Sequence, residues 1–379
     1  MIPFQETNLQ ERRLYELAAR QGIPLNGSFE LTPLCTMDCS MCFVRLSREE
    51  LAARGKLLTP EQWLALAEEL KAAGTLFLLL TGGEPLLYPG FRELYLRLRG
   101  MGFILMLNTN ATLIDESWAD FFAKNPPRRI NVTLYGANAK DYAAVCRNPD
   151  GFEKAERGIR MLKERGVPVK LSGSLVKANV GNLNAYLALC EELGLPVMTE
   201  TYMMPACRER SRPFDLLQRV SPHEYAEAKM RLLPSVQAEE LLGSDIRKIL
   251  TEVERNRETN AEPFGFGCKA GTCSFAINWQ GHMRPCVLLS EPEVDVLAKG
   301  FLPAWDEIRS VCAGIRRDSK CLSCAYRSLC PNCPAAEKAE NGCFGKAPEY
   351  LCESISRFVE LLQEYAAVHA TEENQHKKE

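Results

Sequence analysis

Short apolar runs with strand character alternate with amphipathic stretches at helical spacing, from about residue 27 to residue 199. An amphipathic helix over 8–21 leads into the first strand, at about 27–32, which contains Ser28-Phe29-Glu30-Leu31-Thr32. Thr59-Pro60-Glu61-Gln62 then reads as a helix start, with a threonine cap, proline at the first helical position and glutamine at the third. Trp63, Leu66, Ala67 and Leu70 continue it as one apolar face, and Gly74 closes it. The strand Thr75–Leu80 is apolar throughout, as expected of a parallel strand covered on both faces. A helix at about 90–100 leads to strand 103–107, and one at about 115–124 to strand 130–135. The helix carrying Phe152, Ala155, Ile159 and Leu162 leads to strand 167–171, and a helix over 180–193 to strand 196–199. Six such units predict a parallel sheet, barrel-like or doubly wound.

In parallel β/α folds the chemistry gathers at the C-terminal ends of the strands. Here those ends read Cys35–Cys42, Thr81-Gly82-Gly83-Glu84-Pro85, Asn108-Thr109-Asn110-Ala111-Thr112, Tyr135-Gly136-Ala137-Asn138 and Ser172-Gly173-Ser174. All are polar, all but one carry glycine or asparagine, and all share one edge, which predicts an active site there.

Beyond residue 203 the character changes. A basic loop, Arg208–Arg212, precedes helix starts near Ser221-Pro222 and Gly243-Ser244-Asp245, and Thr371–Glu379 reads as a frayed polar tail. A chain of 379 residues exceeds one ordinary core, so a large domain plus a smaller one is expected. With 46% hydrophobic and 25% charged residues it reads as a soluble globular protein, and a net charge of -3 gives no reason to expect a nucleic-acid partner. Met1–Thr7 has no apolar signal region, and the longest apolar run, Leu76–Leu80, is too short to span a bilayer. A cytoplasmic protein with no membrane partner is expected.

Cysteine changes the picture. There are 16, and in a reducing compartment clustered thiols more often bind metal than pair as disulfides. Cys190 continues the helical stripe of Leu183 and Leu187, and Cys312 follows Trp305 and Ile308, so both read as buried apolar thiols. Cys35, Cys39 and Cys42 are spaced C-x3-C-x2-C with no histidine near. Three soft ligands without a fourth suit an iron–sulfur cluster with one open iron, whereas a structural zinc normally wants four. Alone, the triplet leaves cluster, zinc and plain loop cysteines open, and Cys321-x2-Cys324 with Cys330-x2-Cys333 by itself suits one zinc.

Joined to Gly82-Gly83-Glu84-Pro85 after the second strand, the triplet resembles the radical SAM superfamily. Cys268-x12-Gly281-x4-Cys286, then Cys321-x2-Cys324-x5-Cys330-x2-Cys333, then Cys352, resembles its SPASM extension, so the resemblance covers about residues 28–352. It implies an α/β fold: a partial (β/α)6 TIM-type barrel over 27–205, preceded by a helical extension over 1–26. A bridging segment over 206–262, a cysteine-rich auxiliary-cluster domain over 263–355 and a helix end with its tail over 356–379 would follow.

The resemblance also implies roles. Cys35, Cys39 and Cys42 would hold a 4Fe–4S cluster whose open iron binds S-adenosylmethionine (SAM). Gly82 and Gly83 would let backbone approach the methionine moiety, and Glu84 would accept from its ammonium. Thr109 and Asn110 would lie near the ribose, Ser174 near the carboxylate, and Met41, where an aromatic residue is usual, near the adenine. Cys268, Cys273, Cys286 and Cys333 would hold one auxiliary 4Fe–4S cluster; Cys321, Cys324, Cys330 and Cys352 would hold another. The last gap is x2 where the family usually shows x3, which makes Cys343 the substitute if Cys333 is displaced.

The implied chemistry is reductive cleavage of SAM to a 5′-deoxyadenosyl radical that abstracts hydrogen from a substrate, with ferredoxin or flavodoxin as reductant. Thr133-Leu134-Tyr135-Gly136-Ala137, Tyr142 and Arg147-Asn148-Pro149 are similar to SPASM enzymes that mature ribosomally made peptides through thioether or carbon–carbon crosslinks. Sulfatase-activating relatives place an aspartate base after the cysteine that is here Cys286; this chain has Val287, which ranks sulfatase maturation lower. The stretch before the barrel is too short for a leader-binding domain, so leader recognition is expected elsewhere, with Arg208–Arg212 a contact for an acidic peptide or simply a solvated loop. A small-molecule substrate is the alternative. A non-catalytic zinc or electron-transfer protein leaves Gly82-Gly83-Glu84 unexplained, and no catalytic base is identified.

Overall fold

The strands that the alternation predicts form one sheet. The protein's structure, a computed structural model, describes residues 8–205, 208, 218–236, 242–260 and 268–376. Helix α1 (Leu9–Gln21) precedes β1 (Asn26–Glu30), and after the cysteine loop come α2 (Arg48–Arg54), α3 (Pro60–Ala72) and β2 (Phe77–Thr81). There follow α4 (Phe91–Gly100), β3 (Ile104–Thr109), α5 (Glu116–Lys124), β4 (Arg129–Thr133), α6 (Ala139–Cys146), α7 (Gly151–Glu164), β5 (Val169–Ser174), α8 (Leu183–Leu193) and β6 (Val197–Glu200). Then come α9 (Pro222–Val236), α10 (Leu242–Arg257), the strands β7 (Ser274–Ile277), β8 (His282–Arg284) and β9 (Val294–Asp295), and α11 (Val296–Lys299). The chain closes with α12 (Phe301–Gly314), α13 (Ser319–Leu322), α14 (Pro334–Asn341) and α15 (Glu349–His376).

Local signals do what the sequence says. The Thr59 side chain accepts from the Gln62 N–H, and Gln62 returns the bond to the Thr59 N–H at 2.9 Å, with Pro60 in the first turn. Asn8 with Glu11, and Ser47 with Glu50, build the same reciprocal cap.

The strand order β6-β5-β4-β3-β2-β1 is strictly sequential and parallel. A doubly wound sheet reverses its order at a switch point. Without reversal, right-handed crossovers put every helix on one face, and the sheet wraps its other face inward as a partial barrel. The two faces differ accordingly. Leu78, Leu80, Leu105, Leu107, Ile130 and Val132 are buried against the helices. On the inner face Asn108 stands opposite Asn131, whose amide donates to it at 2.7 Å, while Arg129 donates to Asn131. Leu79 and Thr81 are only half-buried, so β2 is fully covered on the helix side alone. At the N-terminal strand ends α1 forms a floor. Tyr15 stacks on Phe77 at 5.5 Å, Arg128 pairs with Glu11, and a cavity of about 200 Å³ remains, lined by Leu79, Asn108, Arg129, Asn131 and Lys269 among others.

The cysteine-rich region, read from the sequence as a smaller second domain, continues the same sheet: β7 runs parallel to β1, from Asn26 opposite Ser274 to Phe29 opposite Ile277, and β8 and β9 add an antiparallel meander. Helix α12 packs over it, with Phe275 edge-on to Phe301 and Trp305, and the Trp305 indole donates to the Gly22 carbonyl at 2.8 Å. Helices α9, α10 and α15 share a separate small core of Ala226, Leu242, Ile246, Phe358 and Leu362. The tail expected to fray from Thr371 is helical in its described part, because α15 runs to His376. Of the basic loop Arg208–Arg212, all but Arg208 lie outside the described residues, as do Met1–Thr7. Among the described residues no helix is long and apolar enough to cross a membrane.

Candidate active site and thiol clusters

The loop carrying Cys35, Cys39 and Cys42 leaves β1 at the C-terminal edge of the sheet and is fastened on three sides. Toward β2, the Gly83 N–H donates to the Thr32 carbonyl at 2.7 Å and the Glu84 N–H to Leu34 at 2.8 Å. The contact is so close that a Cβ on Gly82 would lie 2.3 Å from the Thr32 oxygen, and one on Gly83 2.4 Å from the Leu34 oxygen. Two strand ends touching therefore already demand glycine, before any cofactor does. Toward α6, the Asp38 N–H donates to the Cys146 carbonyl, Asn148 donates to the Thr36 carbonyl and Arg147 pairs with Asp38 at 3.1 Å. Arg147 and Asn148, part of the stretch resembling peptide maturases, thus work as fasteners of the cysteine loop. Toward β3, the Asn110 amide donates to the Thr36 hydroxyl at 3.0 Å and to the Cys35 sulfur at 3.5 Å.

Glu84 is fully buried and accepts from the Thr109 hydroxyl at 2.8 Å, the Asn110 N–H at 2.9 Å and the Leu86 N–H at 3.1 Å. Burial pushes its carboxyl up to about 7, against those hydrogen bonds. Its carboxylate locks β3 to the Gly82-Gly83 turn, and most of its acceptor capacity is used in doing so. Thr109 shares this lock: its hydroxyl donates to Glu84 and accepts from the Ala111 N–H. Asn110 stays at the edge, against Cys35. Ser174 ends β5 on the same edge, with its carbonyl accepting from Asn179 at 3.0 Å. Met41 is buried in the main core.

The thiols are crowded. Cys39 is buried, Cys35 and Cys42 half-buried. Burial first, then Glu84 and the neighbouring thiols, pushes Cys35 up to about 12, while the Met37 N–H bonding its sulfur at 3.4 Å works the other way. The Arg45 N–H bonds the Cys42 sulfur at 3.3 Å. Such a set, with donors already aimed at the sulfurs, suits a cationic iron–sulfur group, because coordination deprotonates a thiol outright.

Two residues escaped the sequence. Glu30, the last residue of β1, is 2% exposed and forms a two-pronged pair with Arg208, both contacts at 2.7 Å. Arg208 also donates to the Val287 carbonyl, tying the barrel edge to the segment after Cys286. Its side chain is 1% exposed, so this member of the basic loop is an internal partner and not a solvated contact. The available signal was a lone acid closing an otherwise buried strand.

In the C-terminal region, Cys321, Cys324, Cys330 and Cys352 line one cavity of about 230 Å³. That is several times the roughly 30 Å³ share of a water molecule, and four thiols around one space are a donor set that suits an iron–sulfur cluster as well as zinc. Burial first, then Cys321, Cys352 and Cys324, pushes Cys330 up to about 11. Cys286 is likewise pushed up to about 11, by burial and then by Cys333 and Cys268. Cys333 and Cys268 are thus close enough to Cys286 to act on it, while Cys343 is exposed, as are Cys268 and Cys352. Cys273 is 1% exposed and packs with Ala18, Leu25 and Phe77.

Residues 29–179 match the family model described as the radical SAM superfamily. The chain is similar to a protein named AdoMet-dependent heme synthase from Methanosarcina barkeri, 24% identical over 341 residues, covering 86% of this chain and 95% of that one. Streptococcus suis SuiB bound to precursor peptide SuiA superposes with a TM-score of 0.63 at 18% identity, over 93% of this chain and 82% of that one. Native anSMEcpe with bound AdoMet and Cp18Cys peptide superposes with a TM-score of 0.66 at 18% identity, over 92% of this chain and 99% of that one. At such identities the two structures speak for the fold alone.

Proposed function

We propose that the chain, whose residues 29–179 match the radical SAM superfamily model, is a radical SAM enzyme that cleaves SAM at Cys35–Cys42 and modifies a peptide or protein by hydrogen abstraction. The observation that carries this is the thiol triplet fastened beside Gly82-Gly83-Glu84 on one sheet edge, with further thiol groups in the same chain. Cys35, Cys39 and Cys42 would hold a 4Fe–4S cluster with one iron open to SAM. When bound, that pair supplies the electron and the carbon-centred oxidant. The chain's own residues orient and shield. Asn110 and the Met37 and Arg45 N–H groups hold the sulfurs, and Glu84 ties β3 to the Gly82-Gly83 turn. Gly83 and Ser174 remain the candidates for direct contact with SAM. Cys321, Cys324, Cys330 and Cys352 would hold one auxiliary 4Fe–4S cluster, and Cys268, Cys286 and Cys333 with a fourth thiol another, both serving the electron balance of the reaction.

The peptide reading rests on the resemblance of Tyr135-Gly136-Ala137 and Arg147-Asn148-Pro149 to peptide maturases; the two fold relatives hold peptides in their own structures. Val287 offers no side-chain base, which argues against sulfatase-type maturation. A small-molecule substrate is the second reading, favoured by the near full-length match to the heme synthase. The reconstituted enzyme is expected to form 5′-deoxyadenosine from SAM under anaerobic reduction, and a variant with Cys35, Cys39 and Cys42 all changed to Ala to form none. Mass spectrometry of a neighbour-encoded, cysteine-bearing peptide should show loss of two hydrogens per crosslink. An unchanged peptide alongside a consumed heme precursor would establish the second reading instead.

A further inference from the structure

We propose that Cys312 is the fourth ligand of the auxiliary cluster held by Cys268, Cys286 and Cys333, and that Cys273 is not a ligand. The inference rests on the cluster assignment above and concerns which thiols make it. Five cysteines compete for a site that takes four. Cys312 lies on α12, one helical face with Trp305 and Ile308, and is 5% exposed. It belongs to the main core, yet aliphatic side chains are not all that its sulfur meets. It reaches the turn between Cys268 and Cys273, where a Cβ placed on Gly271 would sit 2.4 Å from it. Pro285, the residue before Cys286, borders the same spot at 3.8 Å. The sulfur is therefore wedged between the two segments that carry Cys268 and Cys286.

Gly271 has φ +63 and no side chain, which lets the turn close onto a sulfur. Cys273 has different surroundings. It is 1% exposed among Ala18, Leu25 and Phe77, and its carbonyl accepts from the Asn26 N–H at 3.1 Å, at the entry to β7. Those contacts make it a packing residue beneath α1. Helical spacing hides Cys312, since the same face that presents it to the cluster also carries core residues.

The test uses the full chain, reconstituted anaerobically with iron and sulfide, with Cys312→Ser and Cys273→Ser compared for bound iron, bound sulfide and the electron paramagnetic resonance spectrum of the reduced protein. Cys312→Ser is expected to lose about one third of the iron, or to shift the signal of one of three clusters. Cys273→Ser is expected to keep the iron and the spectrum of the unaltered protein. The opposite pattern, or full iron with an unchanged spectrum in Cys312→Ser, overturns the inference. Should Cys312→Ser fail to fold by circular dichroism, Cys273→Ser decides alone: full iron supports the inference and loss of one cluster overturns it. An unaltered chain that takes up iron for the first cluster only, or zinc only, sinks the auxiliary-cluster assignment itself, an outcome distinct from any difference between the two variants.

Discussion

The two cysteine regions are built on opposite plans. The Cys35–Cys42 loop is held by polypeptide: backbone bonds to Thr32 and Leu34, to Cys146 and Val145, and Asn110 from β3. The region around Cys321–Cys333 has only the short α13 and α14, joined by polar staples. Asp318 accepts from the Ala347 N–H at 2.9 Å, and Glu337 accepts from Asn332 and from the Gly345 N–H. Tyr326, Leu329 and Cys330 lean on a small core of Val220, Tyr225, Ile355 and Val359, beside the thiol-lined cavity. In the first region the fold makes the site; in the second, the bound group should make the fold.

Removing iron tests this most strongly. In the metal-free chain, amides of 318–347 are expected to lose hydrogen-exchange protection while β1–β5 keep theirs, since structural metals contribute on the order of 10 kcal/mol to small domains. Equal protection in both regions would erase the contrast. A smaller effect comes from two glycines. Gly83→Ala should cost about 2–4 kcal/mol, because the new Cβ meets a carbonyl oxygen at 2.4 Å. Gly342→Ala, at φ +74 with nothing within 4 Å, should cost only about 1 kcal/mol of backbone strain. Thermal melts of the two variants separate crowding from conformation, and similar losses would refute the distinction.

The smallest effect lies on the β8–β9 meander, where the regions meet. Burial works against Glu293 ionising, but His282 at 2.8 Å and Arg284 hold its carboxyl down to about 2, and Glu293 in turn raises His282. The carboxylate's share of stability is present above its ordinary range near 4.5 and is lost as pH falls toward 2. The histidine's share is present below 6.5 and is lost as pH rises through its raised value. Glu293→Gln should therefore cost about 1 kcal/mol near pH 5.5, discounted for partial exposure, and less at pH 8. Denaturant melts at the two pH values measure it, and a pH-independent loss would show packing alone.

Local patterns carried most of the fold. Thr59-Pro60-Glu61-Gln62 announces α3, and the apolar runs announce β1–β6, because caps and burial act within a few residues. What stayed hidden depends on partners far along the chain. That β7 would pair with β1 has no local signature, and neither does Arg208 reaching Glu30. Thr109 shows the same limit at the site: a hydroxyl at a strand end looks free until Glu84 arrives from the neighbouring turn to claim it. Cys312 reads as core by spacing and is core, yet its sulfur meets a glycine turn that only the tertiary fold delivers.

The sheet's outer margins have a consequence for solubility. A partial barrel leaves β1 as an unpaired edge, a template on which another chain could add a strand. Here β7 occupies that edge, and the sheet then tapers through β8 to the two-residue β9, while the far margin is the four-residue β6, entered through Pro196 and ending on exposed Glu200. The cysteine-rich segment is thus also a guard strip, and a truncation before β7 should bare β1 and promote self-association.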